Sequence, residues 1–373
     1  MRKVFLVILA IIMMSGLMLG GCSSPTPTAN SAPGTTGSAN AGGANKTADS
    51  TDEPVMNVAS EQVIKLKFAT HHIPANATSA ESMILIEEIE KATNGQVKIT
   101  FYHSEQLGKA NATMDMLRNG IADMALISQP AFPGQFSFAM GFEQPLYVIH
   151  DMYAATEIRE ELYAKGFTQG WENLHFICYT IQRPQWLWTK TKVTKAEDFK
   201  GLKIRWPDPN ILKPFEQFGA VPVAMPAADE YMSLERGVID GKNGPPELIA
   251  AGKFQEVIKY GMLPPLSVGG LAIGMSKASW DKLPADIQTA ITTQAVPQWR
   301  EKAFQMYEQR EKEALAVIDE AGVEITTVDP AEVTRWQELA APIIDEWIAK
   351  KTAEGYPAQE FIDTIREMAK QYQ

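Results

Sequence analysis

The chain has few cysteines, few histidines and no excess of positive charge, and each shortage excludes a class of protein. Two cysteines in 373 residues cannot form a disulfide scaffold. A net charge of −11 has the wrong sign for a phosphate backbone, so nucleic acid is not an expected partner. With 45% hydrophobic and 21% charged residues, the sequence is neither disordered nor fibrous, and its length suggests two lobes or domains.

Motifs for catalysis are also missing. The sequence contains no glycine-rich phosphate loop, no nucleophile elbow and no zinc-type spacing of histidine and cysteine. His71-His72 is the only histidine pair, and adjacent residues on a strand point to opposite faces, which is a poor arrangement for sharing one metal ion. Asp229-Glu230 has the pattern of a solvated helix face. We therefore expect no enzymatic activity, no metal site and no cofactor.

The amino terminus carries the pattern of a secretion signal. Arg2 and Lys3 precede an apolar run, Val4–Leu19, that is shorter than the ~20 residues needed to span a bilayer. The run ends in Leu19-Gly20-Gly21-Cys22, which resembles the lipobox of bacterial lipoproteins. Residues 1–21 are therefore predicted to be a signal peptide, and Cys22 is predicted to be lipidated. The alternatives are an ordinary signal peptide with a chance cysteine, or an N-terminal membrane anchor.

Residues 22–62 are predicted to form a flexible linker, because Ser, Thr, Pro, Gly, Ala and Asn predominate and offer almost nothing to bury. Cleavage of the signal would leave 32 basic and 45 acidic residues, and hence a net charge of −13. No second apolar run reaches transmembrane length. Cys178 would then be the only free thiol, and we expect it to be a small buried hydrophobe without chemistry.

From Val63 onward the hydrophobic periodicity alternates between strands and helices. Val63–Ala69 alternates apolar and polar residues, and a helix over 79–92 follows, with Thr78 and Glu81 spaced as a capping box. Further strands are predicted at 97–102, 124–127, 176–180, 187–190, 202–205, 221–224 and 271–275, and further helices at 111–119, 151–165, 211–218, 228–236 and 286–319. This order favours an α/β fold with parallel or mixed sheets covered by helices on both faces, followed by a helical C-terminal third. Pro297 predicts a kink in the helix over 286–319, which is one of several long helices there.

Several motifs together resemble one known family. Thr194-Lys-Ala-Glu-Asp-Phe-Lys-Gly-Leu-Lys-Ile-Arg205 is similar to the eDlkGlKiR run of the solute-binding proteins of tripartite ATP-independent periplasmic (TRAP) transporters. Further pieces follow in the family's order: Gln106-Leu107-Gly108 with Asn119–Met124, Gly219–Met225, Tyr231–Gly241 and Trp280–Pro284. Each motif alone is modest, but five of them in the right order make a strong resemblance.

The resemblance implies a two-lobed periplasmic-binding-protein-like α/β fold, with mixed sheets, an interlobe cleft and a long hinge-spanning helix. Lobe I would comprise residues 63–182, completed by 271–310, and lobe II residues 183–270, completed by 311–373. In this family the arginine that ends the GlKiR strand holds the ligand's carboxylate, and here that residue is Arg205. A guanidinium suits this role because it offers two parallel N–H donors. The alternative is a structural arginine paired to a neighbouring carboxylate.

Two positions depart from the branch of the family that binds sialic acid. Where that branch carries another arginine, this chain has Gln185, twenty residues before Arg205, and Arg183 lies two residues earlier. A second carboxylate clamp is therefore not expected. The family's asparagine after Asp-Gly falls on Gly244, with Asn243 beside it. Both departures point away from sialic acid as the ligand.

Three tryptophans lie near the expected cleft. Trp186 and Trp188 alternate with Leu187, so they should share one face of a strand, and Trp206 directly follows Arg205. The three rings form either an apolar wall for the ligand or core packing between the lobes. An apolar wall would favour a monocarboxylate with an apolar or aromatic body over a compact dicarboxylate.

The remaining candidate ligand residues are those that the resemblance brings near the cleft. His71 and His72 end the first strand, where the family's first lobe meets its ligand and where a histidine could donate to a keto or hydroxyl oxygen. Met225 ends one of the family motifs. The set is completed by Arg183, Gln185 and Asn243.

Together these features predict an extracytoplasmic, lipid-anchored receptor. It would capture a small carboxylate ligand by lobe closure and deliver it to the membrane permease subunits of a TRAP transporter. Three alternatives stay open at this point: a binding protein for C4-dicarboxylates, a receptor for an ATP-driven (ABC) importer or a sensor kinase, and an extracytoplasmic enzyme or adhesive domain.

Overall fold

A computed structural model describes residues 63–372 of the chain. The signal peptide, the lipidated Cys22 and the linker 22–62 lie outside the described residues and stay predictions. Between residues 63 and 372, no helix combines the length and the apolar character needed to cross a membrane.

The described part of the chain alternates strands and helices, as its periodicity predicts. The strands are β1 Ile64–Ala69, β2 Val97–Tyr102, β3 Met124–Ile127, β4 Leu174–Tyr179, β5 Arg183–Thr189, β6 Lys203–Arg205, β7 Val221–Val223, β8 Gly241–Gly244, β9 Tyr260–Gly269, β10 Ala272–Ser276 and β11 Glu324–Thr327. The α-helices are α1 Ala77–Ala92, α2 Thr113–Arg118, α3 Pro133–Phe136, α4 Met152–Ala164, α5 Lys213–Glu216, α6 Glu230–Glu235, α7 Pro246–Ala251, α8 Lys277–Trp280, α9 Ala285–Ala290, α10 Val296–Glu320, α11 Pro330–Ala353 and α12 Ala358–Ala369.

The strands form two mixed sheets. The first sheet has the order β2-β1-β3-β10-β4, in which β1 pairs in parallel with β2 and β3, while β10 runs antiparallel to both of its neighbours. The second sheet has the order β11-β9-β5-β8-β6-β7, with β6 parallel to β7 and β8, and β5 antiparallel to β8 and β9. The predicted α/β class with mixed sheets is confirmed.

Separate hydrophobic cores lie on the two faces of each sheet. In β5 the predicted alternation is confirmed, because Leu187 packs in one core of the second sheet and Trp186 and Trp188 pack in the other. Helix α4 also contributes to the core that contains Leu187, where it meets α11 and α12. Cys178 is buried in a core of the first sheet, as expected, and burial raises the pKa of its thiol.

The amino end of α1 differs from the prediction. The helix begins at Ala77, and its N-cap is Asn76, whose side-chain oxygen accepts a hydrogen bond from the Thr78 amide at 2.8 Å. The capping box of Thr78 and Glu81 is therefore wrong. Glu81 is fully buried and bonds to distant parts of the chain instead.

The single long helix predicted over 286–319 is also corrected. Helix α9 ends at Ala290, a π-helical turn occupies Ile291–Ala295, and α10 then runs from Val296 to Glu320. Because the backbone stays helical through Ile291, Ala295 and Val296, Pro297 lies inside a continuous helical run, and the π-helical turn directly before it is the form that the predicted irregularity takes. Helix α10 places Trp299 in a core of the first sheet and Ile318 in a core of the second, so it spans both halves of the fold.

Candidate functional site

Arg205 ends β6, and protein groups fix two of its three guanidinium nitrogens. Its Nε lies 2.8 Å from Oε1 of Glu230, and its Nη1 donates to Oδ1 of Asn243 at 3.3 Å. The side chain retains 17% exposure. Nη2 makes no hydrogen bond to any protein group of residues 63–372. The guanidinium is thus oriented from one side and has a donor left for a ligand.

Glu230 contradicts the expectation of a solvated helix face. Only Asp229 is exposed, whereas Glu230, the first residue of α6, is 3% exposed and pairs with both Arg205 and the buried Lys242. The Lys242 ammonium also lies 3.7 Å from the centroid of the Phe254 ring. Burial lowers the pKa of Lys242, and the Glu230 carboxylate opposes that shift. Two cations around one carboxylate leave the trio with a net positive charge.

A chain of side-chain hydrogen bonds leads from Arg205 to the start of β5. Asn243, on β8, donates from Nδ2 to Oε1 of Gln185 at 3.0 Å. The Gln185 amide in turn donates to the backbone oxygen of Arg183 at 3.2 Å. Four of the predicted ligand residues are therefore brought together by hydrogen bonds: Arg183, Gln185, Arg205 and Asn243.

Arg183 also pairs with a protein carboxylate, through one of its guanidinium nitrogens. Its Nη1 pairs with Glu247, in the first turn of α7, and its guanidinium carbon lies 4.8 Å from the centroid of the Tyr307 ring. The Nε atom is buried without an acceptor within the described part of the chain. Although burial opposes the charge, Tyr307, Glu247 and Glu81 raise the pKa of Arg183, so it stays cationic.

Glu81 joins three elements behind this site. Its carboxylate accepts hydrogen bonds from the Ile181 amide at 2.7 Å and from the Tyr307 hydroxyl at 3.0 Å. The Trp299 indole donates to the Glu81 backbone oxygen at 3.1 Å. Burial raises the pKa of Glu81 to about 7. Helix α1, the connection from β4 to β5 and helix α10 are thereby held together.

His71 and His72 follow β1, with ring centroids 4.2 Å apart. Burial, followed by the nearby charges of His71 and Arg183, lowers the pKa of His72 to about 3. The ring is therefore neutral at ordinary pH, and its Nδ1 is buried without a partner among residues 63–372. A neutral imidazole beside Arg183 can accept or donate one hydrogen bond, depending on its tautomer.

All three tryptophans are buried in hydrophobic cores of the second sheet, which is the second of the two alternatives that the sequence left open. Trp188 is fully buried, stacks on Trp186 with centroids 5.4 Å apart, and donates to the Gly244 carbonyl at 2.8 Å. Trp206 is 4% exposed in a core of the second sheet. Both are core residues. Trp186 lines a narrow cavity beside Arg183, and Met225 is partly buried against the core that contains Trp186.

A cavity of about 120 Å³ connects elements from both halves of the fold at this place. Its residues come from the amino end of α1, from the β8–α7 segment and from α10: Ala75, Asn76, Ala77, Arg183, Pro245, Glu247, Leu248, Ala251 and Arg310. The smaller cavity next to it is bounded by apolar groups together with Arg183, Glu247 and Glu311. Between residues 63 and 372, no three His, Cys, Asp or Glu side chains are grouped so that they could hold a metal ion.

Comparison with known proteins decides the family. The model of the DctP family, described as bacterial extracellular solute-binding protein, family 7, matches residues 71–351. The chain belongs to this family. The resemblance to TRAP solute-binding proteins is thus confirmed, and the molecule is an extracytoplasmic solute receptor.

Individual members of the family and solved structures are similar over most of their length. The C4-dicarboxylate-binding periplasmic protein DctP of Rhodobacter capsulatus is 28% identical over 79% of this chain and 90% of its own. A TRAP periplasmic solute-binding protein from Desulfovibrio salexigens superposes with a TM-score of 0.76 at 25% identity, covering 83% of this chain and 97% of its own. A marine metagenome TRAP protein specific for aromatic acid ligands, in complex with metahydroxyphenylacetate, has a TM-score of 0.73 at 23% identity, covering 83% and 99%. The two-lobed fold is confirmed.

Sequence reasoning missed three charged residues of this site: Glu230, Lys242 and Glu247. One signal was available for Lys242, because it stands between a glycine and an asparagine on a strand that is buried throughout, where an ammonium requires a partner. The partners themselves follow from contacts between elements, which the local pattern of residues does not contain.

Proposed function

We propose that the protein captures a small organic acid in its interlobe cleft, with Arg205 binding the carboxylate. One observation carries this proposal: Glu230 and Asn243 hold two nitrogens of Arg205 and leave Nη2 without a protein partner in the described chain. An oriented, partly buried guanidinium binds a carboxylate more strongly than a solvated one, since less water screens the pair and fewer rotamers are lost. Closure of the lobes would complete the desolvation.

Within this class we propose a monocarboxylate with an apolar or aromatic body. Arg183 is neutralised by Glu247, so the network offers one uncompensated positive charge, that of the trio Arg205, Glu230 and Lys242. Trp186 and Tyr307 line the small cavity beside Arg183 and are the aromatic rings of this part of the site. The fold accommodates such ligands: the marine metagenome protein holds metahydroxyphenylacetate, and a Rhodoferax ferrireducens protein of the same fold holds copurified benzoate.

A C4-dicarboxylate is the second candidate. The observation in its favour is the 28% identity with the Rhodobacter capsulatus protein, whose name states that ligand. A dianion would require a second cation in the cleft, and here Arg183 already has a carboxylate partner. The charges of the site therefore favour the monocarboxylate.

Delivery and anchoring complete the proposal. Membership in the family supports a TRAP-type membrane transporter as the recipient of the ligand, in preference to an ABC importer or a sensor kinase. The lipobox-like Leu19–Cys22 supports attachment to the membrane surface through a lipid on Cys22. The acidic linker would then let the receptor reach the transporter.

A thermal-shift screen of the purified protein tests the ligand class. The panel contains aliphatic, aromatic, hydroxy and keto monocarboxylates, and the C4-dicarboxylates succinate, fumarate and malate. A ligand present at ~100 times its dissociation constant adds about 2.7 kcal/mol to the free energy of unfolding, which produces a visible rise in melting temperature. We expect the largest rises for monocarboxylates with an apolar body. No response to any acid would overturn the organic-acid proposal, and a response to dicarboxylates alone would favour the second candidate.

A further inference from the structure

The two arginines of the site differ in what occupies them. Each arginine pairs with a protein carboxylate, Arg205 with Glu230 and Arg183 with Glu247. Glu230 is shared with Lys242, whereas Glu247 pairs, among the described residues, with Arg183 alone. Both members of this ion pair are largely buried, with side-chain exposures of 21% and 12%. Each also lines the cavity between α1 and α7, so the pair stands at the wall of the candidate cleft and not on the outer surface.

Arg183 and Arg205 stand at the two ends of one row of hydrogen-bonded groups. Arg183 and Gln185 lie on the same side of β5, two residues and hence roughly 7 Å apart along the strand. Gln185 is linked through Asn243 to Arg205. Gln185 also donates to the backbone oxygen of Arg183, so one row of hydrogen-bonded groups joins the two arginines, and Glu247 pairs with the guanidinium at its far end.

We propose that Glu247 determines specificity by serving as an internal carboxylate that occupies Arg183 and so restricts the site to ligands with one carboxylate. This inference rests on the proposed function, since it requires an organic acid bound at Arg205. Glu247 is well placed for the role because it lies in the first turn of α7, directly after the strand that carries Asn243. A ligand carboxylate that bound Arg183 would have to displace the Glu247 carboxylate or be repelled by it at short distance.

The charges around Arg183 oppose a second ligand carboxylate. Glu311 lines the same small cavity as Glu247, and burial, followed by Glu247 and Glu308, raises its pKa. A dianion would thus meet carboxylates that repel it, and repulsion between like charges is strong where water is excluded. Arg310 also lines the larger cavity, but it is partly exposed on α10, where solvent screening weakens its attraction for an anion.

The test compares matched ligand pairs by calorimetry. Benzoate is paired with isophthalate and terephthalate, and butyrate with succinate, so that each pair differs by one carboxylate. The quantity compared is the ratio of the affinity for a dicarboxylate to the affinity for its matched monocarboxylate. In Glu247→Gln, Arg183 loses its carboxylate partner, and we expect this ratio to rise about tenfold or more. Glu313→Gln is the control, because it removes an exposed carboxylate of α10 without releasing an arginine. In this control variant the ratio of dicarboxylate to monocarboxylate affinity should differ from that of the wild type by less than about threefold.

Two further variants keep the result clear if Glu247→Gln folds poorly. Glu247→Asp shortens the side chain by one methylene while retaining the charge, and it should give a smaller rise of the ratio in the same direction. The double variant Arg183→Gln with Glu247→Gln removes both charges and should return the ratio to that of the wild type. These two variants distinguish the effect of freeing Arg183 from its partner from the effect of removing one negative charge from the cavity.

The outcomes distinguish this inference from the proposed function. If the wild type binds monocarboxylates and Glu247→Gln leaves the ratio unchanged, the role of Glu247 is wrong while the proposed function stands. A wild type that already prefers the dicarboxylates also overturns the role of Glu247. If the wild type binds none of these acids or the wider panel, the proposed function itself fails.

Discussion

Glu230 is the residue on which the orientation of Arg205 depends. It lies between two cations, Arg205 and Lys242, and is almost fully buried. A buried carboxylate of this kind is held in place only while its partners remain, because isolated charges are unfavourable away from water. Arg205, which we propose to bind the ligand, is thus part of a charge network within the second sheet.

Replacing Glu230 by Gln should therefore affect stability and binding together. The change leaves two buried cations without a counter-ion, and we expect the free energy of unfolding to fall by about 3–5 kcal/mol. Denaturant unfolding of the free protein measures this loss. Glu235→Gln, at the exposed end of the same helix, is the control and should change the free energy by no more than about 0.5 kcal/mol. Equal effects from the two variants would show that Glu230 does not stabilise the cations.

At the scale of secondary-structure elements, Glu81 and Tyr307 connect helices α1 and α10. The two residues lie 226 positions apart in the sequence, and both are buried. The Glu81 carboxylate also accepts the amide of Ile181, just before the chain enters β5. The first helix, the strand connection and the long helix are therefore held at a single polar cluster.

Tyr307→Phe tests that connection by removing one hydroxyl group. Glu81 would lose a hydrogen-bond partner in a place that water cannot easily reach, so we expect a loss of about 1–3 kcal/mol in the free energy of unfolding. The comparison is Tyr356→Phe, since the Tyr356 hydroxyl makes no hydrogen bond to residues 63–372 and its removal should cost less than about 1 kcal/mol. If Tyr307→Phe lowered the free energy of unfolding by as little as Tyr356→Phe does, the polar cluster around Glu81 would not hold the elements together.

The same elements show how far sequence patterns reach. Strands β2 and β3 have the predicted bounds, and α4 differs by one residue at each end, because their apolar periodicity is strong. The cap of α1 was assigned to Thr78 and Glu81 because their spacing fits a capping box, but Glu81 bonds to α10. A contact between residues so far apart in the sequence cannot be predicted from the spacing of neighbouring residues. The π-helical turn before Pro297 was missed for a similar reason, since proline marks a break but not its form.

At the scale of the whole molecule, the family motifs identify the two-lobed fold and point to Arg205, while the charge network around it comes from the structure. The net charge of −11 gave no indication of a site for an anion. Locally, however, two cations surround one buried carboxylate, and the second arginine has its own partner. A ligand responds to the field within the cleft more than to the total charge, because the surrounding water screens distant groups.

The central claim is that Arg205, held in place by Glu230 and Asn243, binds the carboxylate of the ligand through Nη2. Calorimetric titration of wild type and Arg205→Lys with the tightest monocarboxylate of the screen tests it most directly. Lysine keeps the charge but lacks the planar guanidinium that contacts Glu230, Asn243 and the ligand at the same time, so we predict an affinity lower by about 10- to 100-fold. Arg335→Lys, a surface change in an exposed ion pair with Glu197, should bind as the wild type does. If Arg205→Lys binds the acid as tightly as the wild type, Arg205 is not the group that holds the carboxylate.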